Sequence, residues 1–133
     1  MSLFKISSQE SKQVIDITDR LAAEIPKGHA GTVHAFVKHT TVGLSTADLD
    51  PGGTDLDYLD ALTQMVPRLD FRHPHDPSHM PDHILASLVG PSVTVPVARG
   101  KLQLGTWQRV VLFEFSGPRE REVVVTPLQH NLQ

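Results

Sequence analysis

The stretch KLQLGTWQRVVLFEFSGPREREVVVT, residues 101–126, decides the class of fold. It holds two runs rich in β-branched and aromatic residues, Lys101–Phe115 and Arg121–Thr126, separated by Gly117 and Pro118. Such residues suit the half-buried pleat of a sheet, and the glycine and proline between them mark a turn. The first run is long for one strand, so the reading places a bend or bulge near Gly105. Working outward, Ser92–Val97 reads as a further strand set off by Pro91 and Gly100. Val33–Val37 and Val42–Thr46 are strands flanking Lys38, His39, Thr40 and Thr41. Residues 3–7 and 13–17 alternate apolar with polar, as a strand pair joined by a turn would. Helical stripes lie between these strands. Ile17, Leu21 and Ile25 recur at helical spacing until Pro26 and Gly28 stop them. Leu56, Leu59, Leu62, Met65 and Val66 form a second stripe, opened near Thr54 and Asp55 and closed by Pro67. A third, short helix starts at Pro81 and Asp82 and runs through Leu88. Strands at both ends with two or three helices between predict an α+β fold rather than alternating βαβ units.

A chain of 133 residues is long enough for one hydrophobic core, so residues 1–133 are read as a single domain. The formal charge of −3 comes with no basic run, which argues against nucleic acid as a partner. The absence of cysteine removes disulfides, thiolate metal sites and cysteine nucleophiles together, and fits a reducing compartment. Any metal must then use nitrogen or oxygen ligands. The segment Met1–Lys5 lacks the apolar core of a signal peptide, and no apolar stretch approaches the roughly 20 residues that span a bilayer. A cytoplasmic protein without a membrane partner is the expectation.

Histidine is the compositional oddity: there are eight, and His73, His75, His79 and His83 crowd one segment. Residues 67–81 are rich in Pro, His and Asp, and a loop of that length inside a compact domain points to function. Converging imidazoles suit a first-row divalent cation, although the spacing matches no named zinc signature. His39 sits between two strands and His83 one turn into a helix, where rigid elements can aim them, whereas His75 and His79 read as solvated loop residues. His39, His83 and one loop histidine are therefore the candidate cluster, as metal ligands or as an acid–base pair. Trp107 is the only tryptophan, and Gly105 leaves room beside it for a ligand or another strand, so Trp107 is expected to be largely buried near the site, with core or subunit interface as the alternative. Glu114 interrupts an apolar run and shares a face with Leu112, Val110 and Gln108; it is either a solvent-face residue or an inward functional group. Arg119 offers a planar fork for phosphate or carboxylate unless it is a solvated turn residue.

Taken together, His39-Thr40-Thr41, Asp50-Pro51, Met80-Pro81-Asp82-His83-Ile84, Gly90-Pro91-Ser92, Val95-Pro96-Val97, Gly105-Thr106-Trp107-Gln108, Glu114 and Gly117-Pro118-Arg119 occur in an order that resembles the YjbQ family, whose members are sometimes labelled secondary thiamine-phosphate synthases. The resemblance runs from Thr32 to Thr126. It implies a compact mixed-sheet sandwich that assembles as a homotrimer, with sites near subunit boundaries. It places catalytic groups on His39, His83, Glu114 and Arg119, ligand contacts on Thr40, Asp50, Trp107 and Gln108, and metal ligands on His39, His73 and His83. It further implies a divalent metal, zinc or magnesium, and a small phosphorylated molecule as partner. The implied activity is a weak joining of the pyrimidine diphosphate and thiazole phosphate precursors of thiamine, a displacement in which pyrophosphate leaves. The segment Ala47-Asp48-Leu49 is one residue shorter than the family pattern and puts Asp48 where a glutamate is usual, and the loop from His73 to His83 is shortened. The chain lacks a glycine-rich phosphate cradle. The competing class is a metal or small-ligand binding protein without turnover, and a metal-dependent hydrolase is a third.

Overall fold

A computed structural model describes residues 1–129. In it the described residues form strands β1 (Ser2–Ser7), β2 (Gln13–Asp16), β3 (Gly31–Val37), β4 (Val42–Asp48), β5 (Ser92–Ala98), β6 (Lys101–Leu102), β7 (Gln108–Glu114) and β8 (Glu120–Gln129). The helices are α1 (Thr18–Ala23), α2 (Thr54–Met65) and α3 (Met80–Val89), with a 3-10 turn over Pro77–His79 leading into α3. The strands make two antiparallel sheets, one in the order β1-β8-β3-β5-β6 and the other β2-β7-β4. This is the α+β architecture that the sequence predicts. No helix among the described residues is long and apolar enough to cross a membrane.

The layering follows from which faces are apolar. Val33, Ala35 and Val37 of β3, Val123 and Val125 of β8 and Phe4 and Ile6 of β1 meet Val42, Leu44, Val110 and Leu112 from the smaller sheet, so one core lies between the sheets. The other face of the smaller sheet presents Ala47, Val111 and Phe113 to Leu59 of α2 and to Leu85 and Ala86 of α3. β7 is the middle strand of that sheet and is buried from Val110 to Glu114, which explains why its sequence is a continuous apolar run rather than an alternation. At Gly43 an added Cβ would lie 2.6 Å from Val89 Cγ1, so glycine is what lets α3 settle on β4. That contact sets the position of the α3 N-terminus, and with it His83.

Two expectations change in detail. The runs at 3–7 and 13–17 do form strands, but not a pair: β1 joins β8 in the large sheet, and β2 joins β7 in the small one. Alternation identifies a strand without naming its partner. Ser8 turns the chain between sheets, its N–H donating to the Arg119 carbonyl at 2.9 Å. The long run from Lys101 is broken after Leu102, and the bend expected near Gly105 is a turn, closed by the Gln108 N–H donating to the Gly105 carbonyl at 3.1 Å.

Candidate functional site

β7 ends with Glu114 facing the inter-sheet core, because it continues the face of Val110 and Leu112. Arg121 of β8 faces the same core, on the side of Val123 and Val125. Both side chains are withdrawn from water, and the guanidinium meets the carboxylate as a fork, Nε donating to Oε1 at 2.9 Å and Nη2 to Oε2. Ser8 Oγ donates to Oε1 at 2.7 Å and the Ser116 N–H to Oε2 at 3.1 Å. Burial by itself would raise the Glu114 pKa, but the Arg121, Ser8 and Ser116 donors outweigh it and hold the carboxyl below its ordinary value. Arg121 Nη2 also donates to Thr41 Oγ1 at 2.8 Å. Glu114 is thus the inward group of the two alternatives, and it is consumed by its own partners.

His39 follows the end of β3. Its Nε2 accepts the Glu122 N–H at 3.1 Å, and its Nδ1 stands 3.4 Å from Arg121 Nη1. A ring accepting at Nε2 while neutral carries its proton on Nδ1. Burial, then the Arg121 charge, lowers its pKa and favours the neutral ring. His83 lies in the first turn of α3, with Nδ1 3.0 Å from the Thr40 carbonyl. His73 has Nδ1 3.0 Å from the Asp76 carbonyl, and its ring centroid is 4.9 Å from that of His83. A carbonyl only accepts, so both rings donate from Nδ1 and, when neutral, leave Nε2 with a free lone pair.

Around these groups lies a pocket of about 300 Å³ between the β3–β4 turn, the start of α3 and the β7–β8 turn. Its cations are Lys38, Arg119 and Arg121, its imidazoles His39, His79 and His83, and its hydroxyls Thr40, Thr41 and Ser116. Among the described residues no carboxylate lines it. His79, read from the sequence as a solvated loop residue, belongs to this wall, with Nε2 3.2 Å from Asp76 Oδ2. His75 is exposed, as expected of a solvated residue.

Other predicted residues fall elsewhere. Asp50 lines an acidic depression with Asp16 and Asp55 at the start of α2. Trp107 and Gln108 line a third depression with Thr46, Asp48 and Tyr58. Gln108 begins β7 and Glu114 ends it, which separates these residues from the histidine pocket of the same chain by about 20 Å at the rise of a strand. Trp107 is also not buried: 67% of its surface is open, because the turn before β7 holds it clear of both cores.

As metal ligands, the three expected histidines fit unequally. His39 has its Nε2 lone pair committed to a backbone N–H and a guanidinium beside its other nitrogen, an environment that repels a cation. His73 and His83 fit as a pair, since a ligating imidazole commonly fixes its second nitrogen on a carbonyl. Among the described residues, no three His, Cys, Asp or Glu side chains converge as a metal-binding group. Arg121 is the site residue that the sequence reading missed. Its signal was present: an arginine at an inward position of β8, in phase with Val123 and Val125, complements the glutamate inward on β7.

A family model described as UPF0047 protein YjbQ-like matches residues 2–130. The chain is 37% identical over 115 residues to a UPF0047 protein of Mycobacterium tuberculosis, covering 85% of this chain and 88% of that one. It is 38% identical over 117 residues to a UPF0047 protein of Archaeoglobus fulgidus, covering 87% and 91%. Its structure is similar to that of a conserved hypothetical protein from Thermus thermophilus, with a TM-score of 0.86, 32% identity, and coverage of 96% of this chain and 100% of that one. An uncharacterised YjbQ/UPF0047 family protein from Clostridium acetobutylicum gives a TM-score of 0.84 at 31% identity, covering 96% and 100%.

Proposed function

This chain belongs to the YjbQ-like UPF0047 family, and from the pocket it carries we propose that it binds the phosphate group of a small phosphorylated molecule between the β3–β4 turn, the start of α3 and the β7–β8 turn. One observation carries this reading: a chain of formal charge −3 sets aside a pocket that, among the described residues, has three cations and no carboxylate. Arg121 is neutralised by Glu114, so the charge available to an anion comes from Lys38 and the exposed fork of Arg119. Thr40 and Ser116 add hydroxyl donors at the rim. Glu114, Arg121 and His39 hold the walls in register rather than meeting the ligand.

His83 is the proton-transfer candidate, because its Nδ1 is pinned and its Nε2 is free. With phosphate bound, a protonated His83 and Arg119 would offset charge gathering on a departing phosphate or pyrophosphate. That is the requirement of the displacement implied by the resemblance, in which the two thiamine precursors join and pyrophosphate leaves. Calorimetric titration with inorganic phosphate and pyrophosphate tests the binding site; binding weakened roughly ten- to hundredfold in Arg119→Ala is expected, and no heat in the parent protein would sink the proposal. Incubation with both precursors, with and without divalent metal, separates an enzyme from a binding protein without turnover.

The pairing of His73 with His83 favours a second reading, in which these two imidazoles hold a divalent cation. Nitrogen ligands suit zinc better than magnesium. A bound cation would supply further positive charge for the phosphate group. Ring signals of His73 and His83 followed by NMR during zinc titration are the check, and unmoved signals would remove the metal.

We also propose the homotrimer and the cytoplasmic location that the resemblance and the cysteine-free sequence suggest. Leu3, Phe36 and Leu128 leave apolar surface open on the large sheet, which an assembly would cover. Light scattering giving three times the 14.6 kDa chain mass supports the trimer, and a monomer mass refutes it.

A further inference from the structure

At the end of the β4–β7 pair far from the histidines, Thr46, Asp48, Tyr58, Gly105, Trp107 and Gln108 line an open depression of about 440 Å³. Its polar groups are largely fixed by one another. Gln108 Nε2 donates to Thr46 Oγ1 at 3.1 Å, while Gln108 Oε1 accepts the Gly105 N–H at 3.1 Å. The Tyr58 oxygen accepts the Asp48 N–H at 3.1 Å, and Asp48 Oδ1 accepts the Asp50 N–H at 3.2 Å. What remains to meet a ligand is the Trp107 ring, the Tyr58 side chain and the charge of Asp48.

That charge has no counter-ion. Among the described residues Asp48 makes no salt bridge, and no lysine, arginine or histidine lines the depression. Arg109 lies opposite Ala47 in the β4–β7 register, but it is directed to Asp16 at 2.7 Å and Asp19 at 3.5 Å. Asp50 and Asp55 line the adjoining depression and add to the negative field. Desolvation and the charge of Asp48 raise the pKa of Asp50, as crowding of like charges requires. Trp107, with 67% of its surface in water, is the largest apolar side chain exposed on the described surface.

An indole face, a second aromatic ring and an uncompensated carboxylate, with no cation among them, make an environment that attracts positive charge carried on an apolar body. A phosphate would be repelled, and a neutral apolar ligand would leave the carboxylate unused. We propose that this depression binds a small organic cation of the alkylammonium class, with Trp107 as the principal contact and Asp48 as counter-ion. Within one chain it is a site separate from the phosphate pocket and opposite to it in charge.

Because Trp107 is the only tryptophan, its fluorescence reports this depression alone. Choline is the probe, and 3,3-dimethylbutan-1-ol, the same shape without charge, is its control. The expected result is a saturable change in emission with choline at millimolar concentration, and at least about tenfold weaker binding of the alcohol. Asp48→Asn keeps the Oδ1 acceptor for the Asp50 N–H and removes the charge, so it should weaken choline several-fold without shifting the melting temperature. Sodium chloride at equal ionic strength should leave the emission unchanged. No saturation by choline, equal binding of the alcohol, or full choline affinity in Asp48→Asn would each overturn the proposal.

Discussion

At the Thr41–Phe115 end of the β4–β7 pair the polar groups are buried and spend their hydrogen bonds on one another; at the Asp48–Gln108 end they are exposed and flank an open tryptophan. Among the described residues the first end carries cations and no acid on its pocket wall, and the second carries an acid and no cation. The same two strands thus serve as a rigid frame whose ends select opposite charges. The difference is one of support. Near Glu114, changing one side chain strands its buried neighbours, whereas Trp107 packs into neither core and its replacement is felt by what binds there.

The sharpest way to break this contrast is to remove Arg121. Arg121→Ala leaves Glu114 charged, buried and unpaired, so we expect a loss of about 3–5 kcal/mol in urea unfolding. The double variant Glu114→Leu, Arg121→Met removes the stranded charge and should recover most of that loss, because a well-packed apolar pair often matches a buried ion pair. Recovery would remain incomplete, since Ser8 and Thr41 lose hydrogen-bond partners. Unfolding of Arg121→Ala at the parent midpoint would mean that this end is no better supported than the other.

Arg119 divides binding from support within the first end. It is exposed, and its backbone N–H rather than its side chain is tied in, donating to Ser8 Oγ at 2.9 Å. Arg119→Ala should cost phosphate affinity about 1.5–3 kcal/mol by removing a charge-assisted bond, with stability unchanged within roughly 0.5 kcal/mol. Calorimetry and thermal melting on the same preparation separate the two quantities. A stability loss without an affinity loss would make Arg119 part of the frame.

Acid probes the frame from another side. The His39 pKa is lowered in the folded chain, so the unfolded chain binds the proton more readily, and folding stability is complete above the ordinary imidazole value of about 6.5. It should decline as pH falls below that value toward the lower folded pKa. Protonation also ends the acceptance of the Glu122 N–H at Nε2. His39→Gln offers an amide oxygen in place of Nε2 and should flatten the fall in melting temperature between pH 7 and pH 5.5. An undiminished slope in that variant would assign the acid sensitivity elsewhere. Glu114 acts with the same sign at lower pH: its folded pKa is depressed, so its contribution holds above the ordinary carboxylate range and is lost as pH drops through it.

The elements were legible in the sequence where periodicity speaks, and the site only where a residue's neighbours are local. Leu56, Leu59 and Leu62 mark α2, and Pro67 closes it, because helical spacing and a missing N–H are properties of the segment itself. Partnership between strands is not such a property, which is why β1 and β2 read as a pair and are not one. His83 could be singled out from its place on a helix, but that its Nδ1 rests on Thr40 depends on α3 lying against β4, which Gly43 permits. His39, His83 and Arg119 line one pocket, whereas Asp50, Trp107 and Gln108 carry equally distinctive motifs and lie at other openings. A motif records that a residue is constrained, and it is silent about which other constrained residues it faces. Arg121 shows the converse, a central group that stands between two glutamates and belongs to no motif singled out in the sequence.

The smallest expected effect sharpens the contrast most cleanly. Trp107→Phe removes a side chain that neither core touches, so unfolding stability should change by no more than about 0.5 kcal/mol. The parent protein should emit as an indole in water when dilute enough to be a single chain, because the ring is mostly exposed. If the proposed trimer forms through this end, raising the concentration would move the emission to the blue as a neighbouring chain covers the ring; if it forms through the large sheet, where Leu3 and Phe36 lie open, the emission would stay in place while the scattering mass rises. Measuring both signals on one dilution series therefore locates the interface. A blue emission that persists at the lowest concentration, together with a monomer mass, would contradict the exposed placement of Trp107 and with it the distinction between a supported end and an open one.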